Sequence, residues 1–189
     1  MEQVVIIVAG GKGLRMGSEI PKQFLEINGK AIIIHTIKKF KQVLPSARLV
    51  LVLPKNELPR WQTLAKEHQL TDVTCVIGGA TRFDSVKAGL STIKTASSLV
   101  AIHDAVRPFV NPETIKQCMQ AAEKYGAAIP VIDLNDSIRK VEDENSSVAV
   151  DRTKYKLVQT PQCFKSEVLL EAYAQNFKEN FTDDASVVE

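Results

Sequence analysis

Apolar residues recur along the chain in two alternating rhythms. Val4 to Ala9 is an unbroken, largely β-branched run closed by glycines, which predicts a strand buried on both faces of a parallel sheet. Similar runs at Leu49 to Leu53, Val73 to Ile77, Leu99 to His103 and Ala127 to Ile132 predict further strands. Between them the spacing turns helical, at Ile33, Ile37 and Phe40, then Val86, Leu90 and Ile93, then Ile115, Met119 and Ala122. Thr81 with Asp84 three residues on has the form of a capping box, and Asn111 before Pro112 sets a good N-cap ahead of a proline that the first helical position tolerates. The alternation predicts right-handed βαβ units and an α/β fold, a doubly wound, mostly parallel Rossmann-like sheet. Such a sheet binds its ligand beyond the carboxyl ends of its strands.

The rhythm breaks over residues 134–159. DSIRKVEDENSSVAVDRTKYKLVQ sets Ile138, Val141, Val148 and Val150 among charges, around a very polar tip at Glu142 to Ser147. Two short strands about such a tip predict a projecting hairpin, and a lone hairpin is marginal in water. It either leans on a second subunit or folds flat on its own domain.

Composition narrows the class. With 189 residues and 44% apolar content the chain fits a single domain, residues 1–189, that buries a real core. The net charge of +2 arises from 24 basic and 22 acidic residues spread along the sequence, so no basic tract tracks a nucleic-acid backbone. An anionic ligand must be gripped locally. Cys75, Cys118 and Cys163 are odd in number and far apart, which argues against disulfides and zinc and for buried thiols in a reducing, cytoplasmic setting. The opening segment carries Glu2 and no cleavage site, and no apolar run has the length to span a bilayer.

The local grip is predicted directly after the first strand, in AGGKGLRMG followed by PKQF. Gly10, Gly11 and Gly13 let successive backbone N–H groups face one point, where a phosphate approaches without meeting a Cβ. Lys12, Arg15 and Lys22 add positive charge, with no acid between Ala9 and Gly17. The Walker pattern fails because Gly11-Lys12 is followed by Gly13. The dinucleotide pattern starting at Gly11 ends on Met16, and Leu51 to Leu53 runs into Pro54 instead of an acid, which disfavours a NAD-dependent oxidoreductase.

VAGGKGLRMGSEIPKQ resembles the opening motif of the nucleotidyltransferases that activate sugar and polyol phosphates. GGATRFDSV, HDAVRPF, VDR, QTPQ and TDDAS follow in the order found in one branch, the 2-C-methyl-D-erythritol 4-phosphate cytidylyltransferases of the non-mevalonate isoprenoid pathway. The relatives acting on ribitol 5-phosphate share several of these strings and stay as an alternative. By this resemblance, Ala9, Gly10, Gly11 and Gly13 cradle the CTP base and phosphates, and Arg15 and Lys22 are the catalytic cations at the α-phosphate. Gly79, Ala80, Arg82 and Ser85 fall in the cytosine-recognition segment, with Ala80 where many members carry Asp. Asp104 faces the ribose and the acceptor; on residue type alone it could equally pair with Arg107 and shape the turn at Pro108. His103 beside it reads as a packed strand residue.

The resemblance also implies that Ser137 and Arg152, on the arm, reach across a homodimer to the neighbouring acceptor site, with Thr160 and Thr182 as further acceptor-site hydroxyls. The implied reaction is in-line attack by the acceptor's phosphate oxygen on the α-phosphorus of CTP, releasing pyrophosphate. A phosphate nucleophile is already ionised, so the protein positions and neutralises charge, helped by Mg²⁺ or another divalent cation on the CTP phosphates and with no metal ligands of its own. Family members continue past residue 189 through a strand and helix bearing an Asn-Ile-Lys segment. A chain ending there is therefore also expected as a CTP-binding protein without turnover.

Overall fold

The computed structural model describes residues 1–10, 20–94 and 97–189. In chain order the strands are β1 (Glu2–Val8), β2 (Glu26–Ile27), β3 (Lys30–Ala31), β4 (Arg48–Leu53), β5 (Thr74–Ile77), β6 (Ser98–Asp104), β7 (Ala127–Ala128), β8 (Val131–Asp133), β9 (Arg139–Val141), β10 (Ser147–Ala149), β11 (Lys156–Val158) and β12 (Gln162–Lys165). The helices are α1 (Ile32–Val43), α2 (Leu58–Glu67), α3 (Arg82–Leu90), α4 (Pro112–Tyr125), α5 (Ser166–Ala172) and α6 (Ala185–Val188).

The main sheet has the order β5-β4-β1-β6-β12-β7. β5, β4, β1 and β6 run parallel, and β12 is antiparallel to both of its neighbours. Successive strands first step outward from β1 to β4 and β5, then return to its other side at β6. That reversal is the topological switch point, where an open α/β sheet leaves a crevice for its ligand.

Both faces of the sheet are covered, as the unbroken apolar runs predict. On one side Val5, Ile7, Leu51 and Ala101 meet α1, α2 and α4 through Ile37, Phe40, Trp61 and Ile115. On the other, Val4, Ile6, Val52 and Ile102 meet α3 and α5 through Phe83, Val86, Leu90 and Leu169. Alternate residues of β1 therefore feed two separate cores, the consequence of a period-2 side-chain pattern buried on both faces. Among the described residues, no helix is long and apolar enough to cross a membrane.

Two expectations need correction. The run from Ala127 to Ile132 is not one strand: β7 joins the main sheet, whereas β8 leaves it to pair with β11. Pro130 sits between them, has no N–H for the ladder, and ends the pairing there. Nor are all three thiols buried, since Cys75 on the edge strand β5 is only half-covered, while Cys118 and Cys163 lie inside. The hairpin is present, with β9 and β10 pairing Val141 with Ser147 and Arg139 with Ala149. The β8–β11 ribbon forms its base.

Candidate active site

Three strand ends are stitched together at the switch point. The Ala9 amide donates to the Val52 carbonyl at 2.9 Å, the Ala105 amide to Val8 at 3.0 Å, and the Gly78 amide to Leu53 at 2.8 Å. Parallel pairing thus continues one residue past each strand and holds the loops in a fixed fan. A cavity of about 950 Å³ opens above them. Gly10, Lys22, Gly79, Arg82 and Asp104 line it, with Ala9, Ala80 and Ser85 also on its wall. Motifs spread between Ala9 and Asp104 therefore meet at one place.

Close approach explains the glycines. A Cβ on Gly79 would lie 2.2 Å from the Asp84 Cβ, and one on Gly78 would lie 2.8 Å from Ser85 Oγ. The chain must pass that near because α3 begins there: Thr81 accepts from the Asp84 amide while the Asp84 carboxylate takes the Thr81 amide, a complete capping box. Ser85, one residue further, is buried and donates to the Thr81 carbonyl at 2.9 Å.

On the opposite wall, Lys22 opens a 3-10 turn whose next residue, Gln23, is buried and donates to the Ala9 carbonyl at 2.9 Å. Gln23 ties the lysine-bearing turn to the end of β1. The Lys22 side chain is exposed to the cavity and has no ion-pair partner among the described residues.

Arg82 is held quite differently. Its guanidinium donates two parallel hydrogen bonds to the Asp184 carboxylate, at 2.7 and 2.6 Å, and Asp184 is fully buried (0% exposed). The Tyr173 hydroxyl donates to the same carboxylate at 2.7 Å. Gln162 on β12 accepts from the amides of Asp184 and Ala185 at 3.0 and 2.9 Å, which anchors the segment. Burial works against the Arg82 charge, but the hydrogen bonds and charge of Asp184, with a contribution from Asp104, hold its pKa above the ordinary guanidinium value. Arg82 also stands 3.8 Å from Asp104.

Asp104 pairs with Arg107 and also faces the cleft. Its carboxylate accepts from Arg107 Nε at 2.8 Å, and it lines the large cavity. Arg107 in turn donates to Gln159 Oε1 at 2.8 Å, joining the loop after β6 to the residues before β12. A second cavity, of about 480 Å³, adjoins across Val106 and is lined by Arg107, Phe109, Ile132, Gln159 and Thr160.

The remaining candidates lie apart. Thr160 lines the smaller cavity and not the larger. Ser137 and Arg152 are exposed on the arm, where Arg152 donates to the Asn135 carbonyl, and Thr182 is exposed with its amide bonded to Ser186 Oγ at 3.0 Å. Gly11, Gly13 and Arg15 lie outside the described residues. Sequence reasoning missed Gln23, Gln162, Tyr173 and Asp184 as the groups that fix the walls. Gln23, Gln162 and Asp184 stand inside PKQF, QTPQ and TDDAS, so the strings held the signal; Tyr173 stands in none.

A glycine-lined cleft at the switch point of a doubly wound sheet, with a lysine on its wall that has no ion-pair partner among the described residues, defines an α/β nucleotide-binding protein. A family model described as IspD, 2-C-methyl-D-erythritol 4-phosphate cytidylyltransferase, matches residues 3–189. The chain belongs to this family. A 2-C-methyl-D-erythritol 4-phosphate cytidylyltransferase from Bacteroides thetaiotaomicron is 50% identical over 190 residues, spanning 100% of this chain and 86% of the relative. The solved structure of the Thermus thermophilus enzyme of that name matches with a TM-score of 0.78 at 31% identity, covering 100% of this chain and 83% of the other. The 4-diphosphocytidyl-2C-methyl-D-erythritol synthase of Anaerococcus prevotii matches with a TM-score of 0.82 at 27% identity, over 98% and 80% of the two chains.

Proposed function

We propose that this protein transfers the cytidylyl group of CTP to 2-C-methyl-D-erythritol 4-phosphate, giving 4-diphosphocytidyl-2-C-methyl-D-erythritol and pyrophosphate for isoprenoid precursor synthesis in the cytoplasm. One observation carries it: the strings around Gly10 and Lys22, around Gly79 to Ser85, and at Asp104 converge on one cleft, where among the described residues Lys22 has no ion-pair partner while the other charged side chains on the wall are paired or hydrogen-bonded. CTP lies with its base toward Gly79, Ala80 and Ser85 and its phosphates toward Gly10 and the glycine-rich turn. Lys22, with Arg15, meets the α-phosphate and opposes the charge that builds on its oxygens as the acceptor phosphate attacks in line. Arg82, neutralised by Asp184, serves as a wall that orients the nucleotide.

Among the described residues, no three His, Cys, Asp or Glu side chains are grouped to hold a metal ion. The acids on the cleft wall, Glu57 and Asp104, are each engaged by an arginine, at 3.3 and 2.8 Å. This donor set fits a divalent cation such as Mg²⁺ that arrives on the triphosphate, which Asp104 on the same wall would help to hold. Such an ion would supply charge neutralisation between phosphates.

The arm is proposed as the homodimer contact, with Ser137 and Arg152 completing the acceptor site of the partner subunit. Its outward apolar residues support this, Val141 being 72% exposed and Phe109, near its base, 82%.

The test is incubation with CTP, Mg²⁺ and either methylerythritol phosphate or ribitol 5-phosphate, followed by mass spectrometry of the nucleotide products. A diphosphocytidyl product from methylerythritol phosphate, made faster than from ribitol phosphate, is expected. Preference for ribitol phosphate would replace the acceptor, and CTP binding without pyrophosphate release would remove the transfer reaction.

A further inference from the structure

His103 closes a hydrogen-bonded ring that the nucleotide cleft does not explain. Its imidazole is fully buried and tilts against the Phe40 ring at 4.7 Å. Nε2 lies 3.1 Å from the Arg107 carbonyl oxygen. A carbonyl only accepts, so Nε2 carries a proton. Nδ1 lies 2.9 Å from Thr160 Oγ1.

Burial pushes the His103 pKa down to about 4, so near neutral pH the ring holds one proton, the one on Nε2. Nδ1 is then a bare lone pair, and the Thr160 hydroxyl donates to it. A hydroxyl has a single proton. Whatever else approaches Thr160 Oγ1 meets lone pairs alone.

The surroundings make that polarity rigid. Arg107, whose carbonyl fixes the tautomer, is held at its other end by Asp104 and Gln159, both at 2.8 Å. Gln159 directly precedes Thr160. The loop after β6 and the entry to β12 are thus clamped twice, once through side chains and once through the imidazole.

We propose that His103 is a positioning residue that fixes the Thr160 hydroxyl as a hydrogen-bond acceptor, so that this subsite takes a donating hydroxyl of the polyol and turns away a phosphate oxygen. An anionic oxygen against the Thr160 lone pairs would lose its hydration and gain no proton, whereas a C–O–H supplies the missing donor. The acceptor phosphate is thereby directed elsewhere. The identity of the polyol rests on the cytidylyl-transfer reading; the polarity does not.

Two measurements test it. In ¹⁵N-labelled protein at pH 7, long-range imidazole correlations should show a pyrrole-like Nε2 and a pyridine-like Nδ1 for His103. An Nδ1–H tautomer or an imidazolium would overturn the proposal, whatever the activity. Separately, each hydroxyl of methylerythritol phosphate is replaced in turn by hydrogen or by fluorine. At the hydroxyl that meets Thr160, both replacements should lower kcat/KM by the same factor, about 10- to 100-fold, because neither donates. Thr160→Val should lose a similar factor with the parent substrate, nothing further with those analogues, and shift KM for CTP by less than about twofold. Thr160→Ser should retain activity.

If a fluoro analogue keeps the activity that its deoxy partner loses, Thr160 donates and the proposal fails. It fails equally if Thr160→Val costs every analogue the same factor that it costs the parent substrate. Were the parent acceptor itself not turned over, the transfer reading would fall instead, and the tautomer measurement would still decide the polarity.

Discussion

The nucleotide cleft and the arm are built on opposite plans. In the cleft nearly every side chain is held from behind: Gln23 by Ala9, Ser85 by Thr81, Arg82 by Asp184, Asp104 by Arg107. On the arm, two two-stranded ribbons carry β-branched residues outward, and most of their polar ties join arm residues to one another, such as Arg139 Nε to Ser147 Oγ at 2.8 Å and Asp151 to the Thr153 amide at 3.1 Å. The cleft is therefore preorganised by its own chain. The arm offers a surface whose geometry a partner would complete. Substitutions should divide accordingly, with cleft changes felt in rate or folding and arm changes felt in assembly.

The largest effect should come from Lys22→Ala. Losing one preorganised cation at the reacting phosphate is expected to lower kcat by about 10²- to 10³-fold. Its melting temperature should stay near that of the unaltered protein, since Lys22 is exposed; steady-state rates within a fewfold of it would place the chemistry elsewhere. Next is Asp184→Ala, which strands the Arg82 guanidinium. Removing one member of a buried pair costs about 3 kcal/mol, the low end of the usual range because Arg82 is 31% exposed, and urea unfolding midpoints would register it.

Acid should act on the same half. His103 has a pKa lowered from 6.5 to about 4, mainly by burial, so below pH 6.5 the unfolded chain takes up a proton that the folded chain refuses. Stability is full above the unfolded value, falls as pH drops through this window, and the loss levels off below about 4, amounting to about 3 kcal/mol from this group. Denaturation at pH 7 and pH 5 should differ in that direction, and a His103→Phe chain that folds should show a flatter profile. Smallest in folding free energy is Val141→Asp at the arm, where a surface change stays within about 0.5 kcal/mol. Its signature is in sedimentation, as a shift toward monomer; an unchanged oligomeric state would break the contrast drawn between the two halves.

How far the sequence foretold these halves depends on what kind of interaction made each. β1, β4 and β6 were legible because a strand covered on both faces must be apolar at every position, and β5, at the sheet edge, from its β-branched run. The capping box at Thr81 and the N-cap at Asn111 were legible because each lies within a few residues of its partner. α2 was not, since Trp61 and Ala65 are its only fully buried residues and only Leu58 and Leu64 add partial cover. Nor were the Arg82–Asp184 pair and the His103–Thr160 contact, whose members sit 102 and 57 residues apart. Strings of motif residues marked such positions without saying which would touch. Local signals announce elements, whereas long-range partners emerge only once the sheet order is known.

That sheet order hinges on a small discontinuity at Pro130. With a residue able to donate there, β7 would be free to run on into β8 and the edge of the sheet would lengthen. The missing amide diverts the chain outward, so an imino acid on the wall of the smaller cavity decides that the molecule has a limb at all.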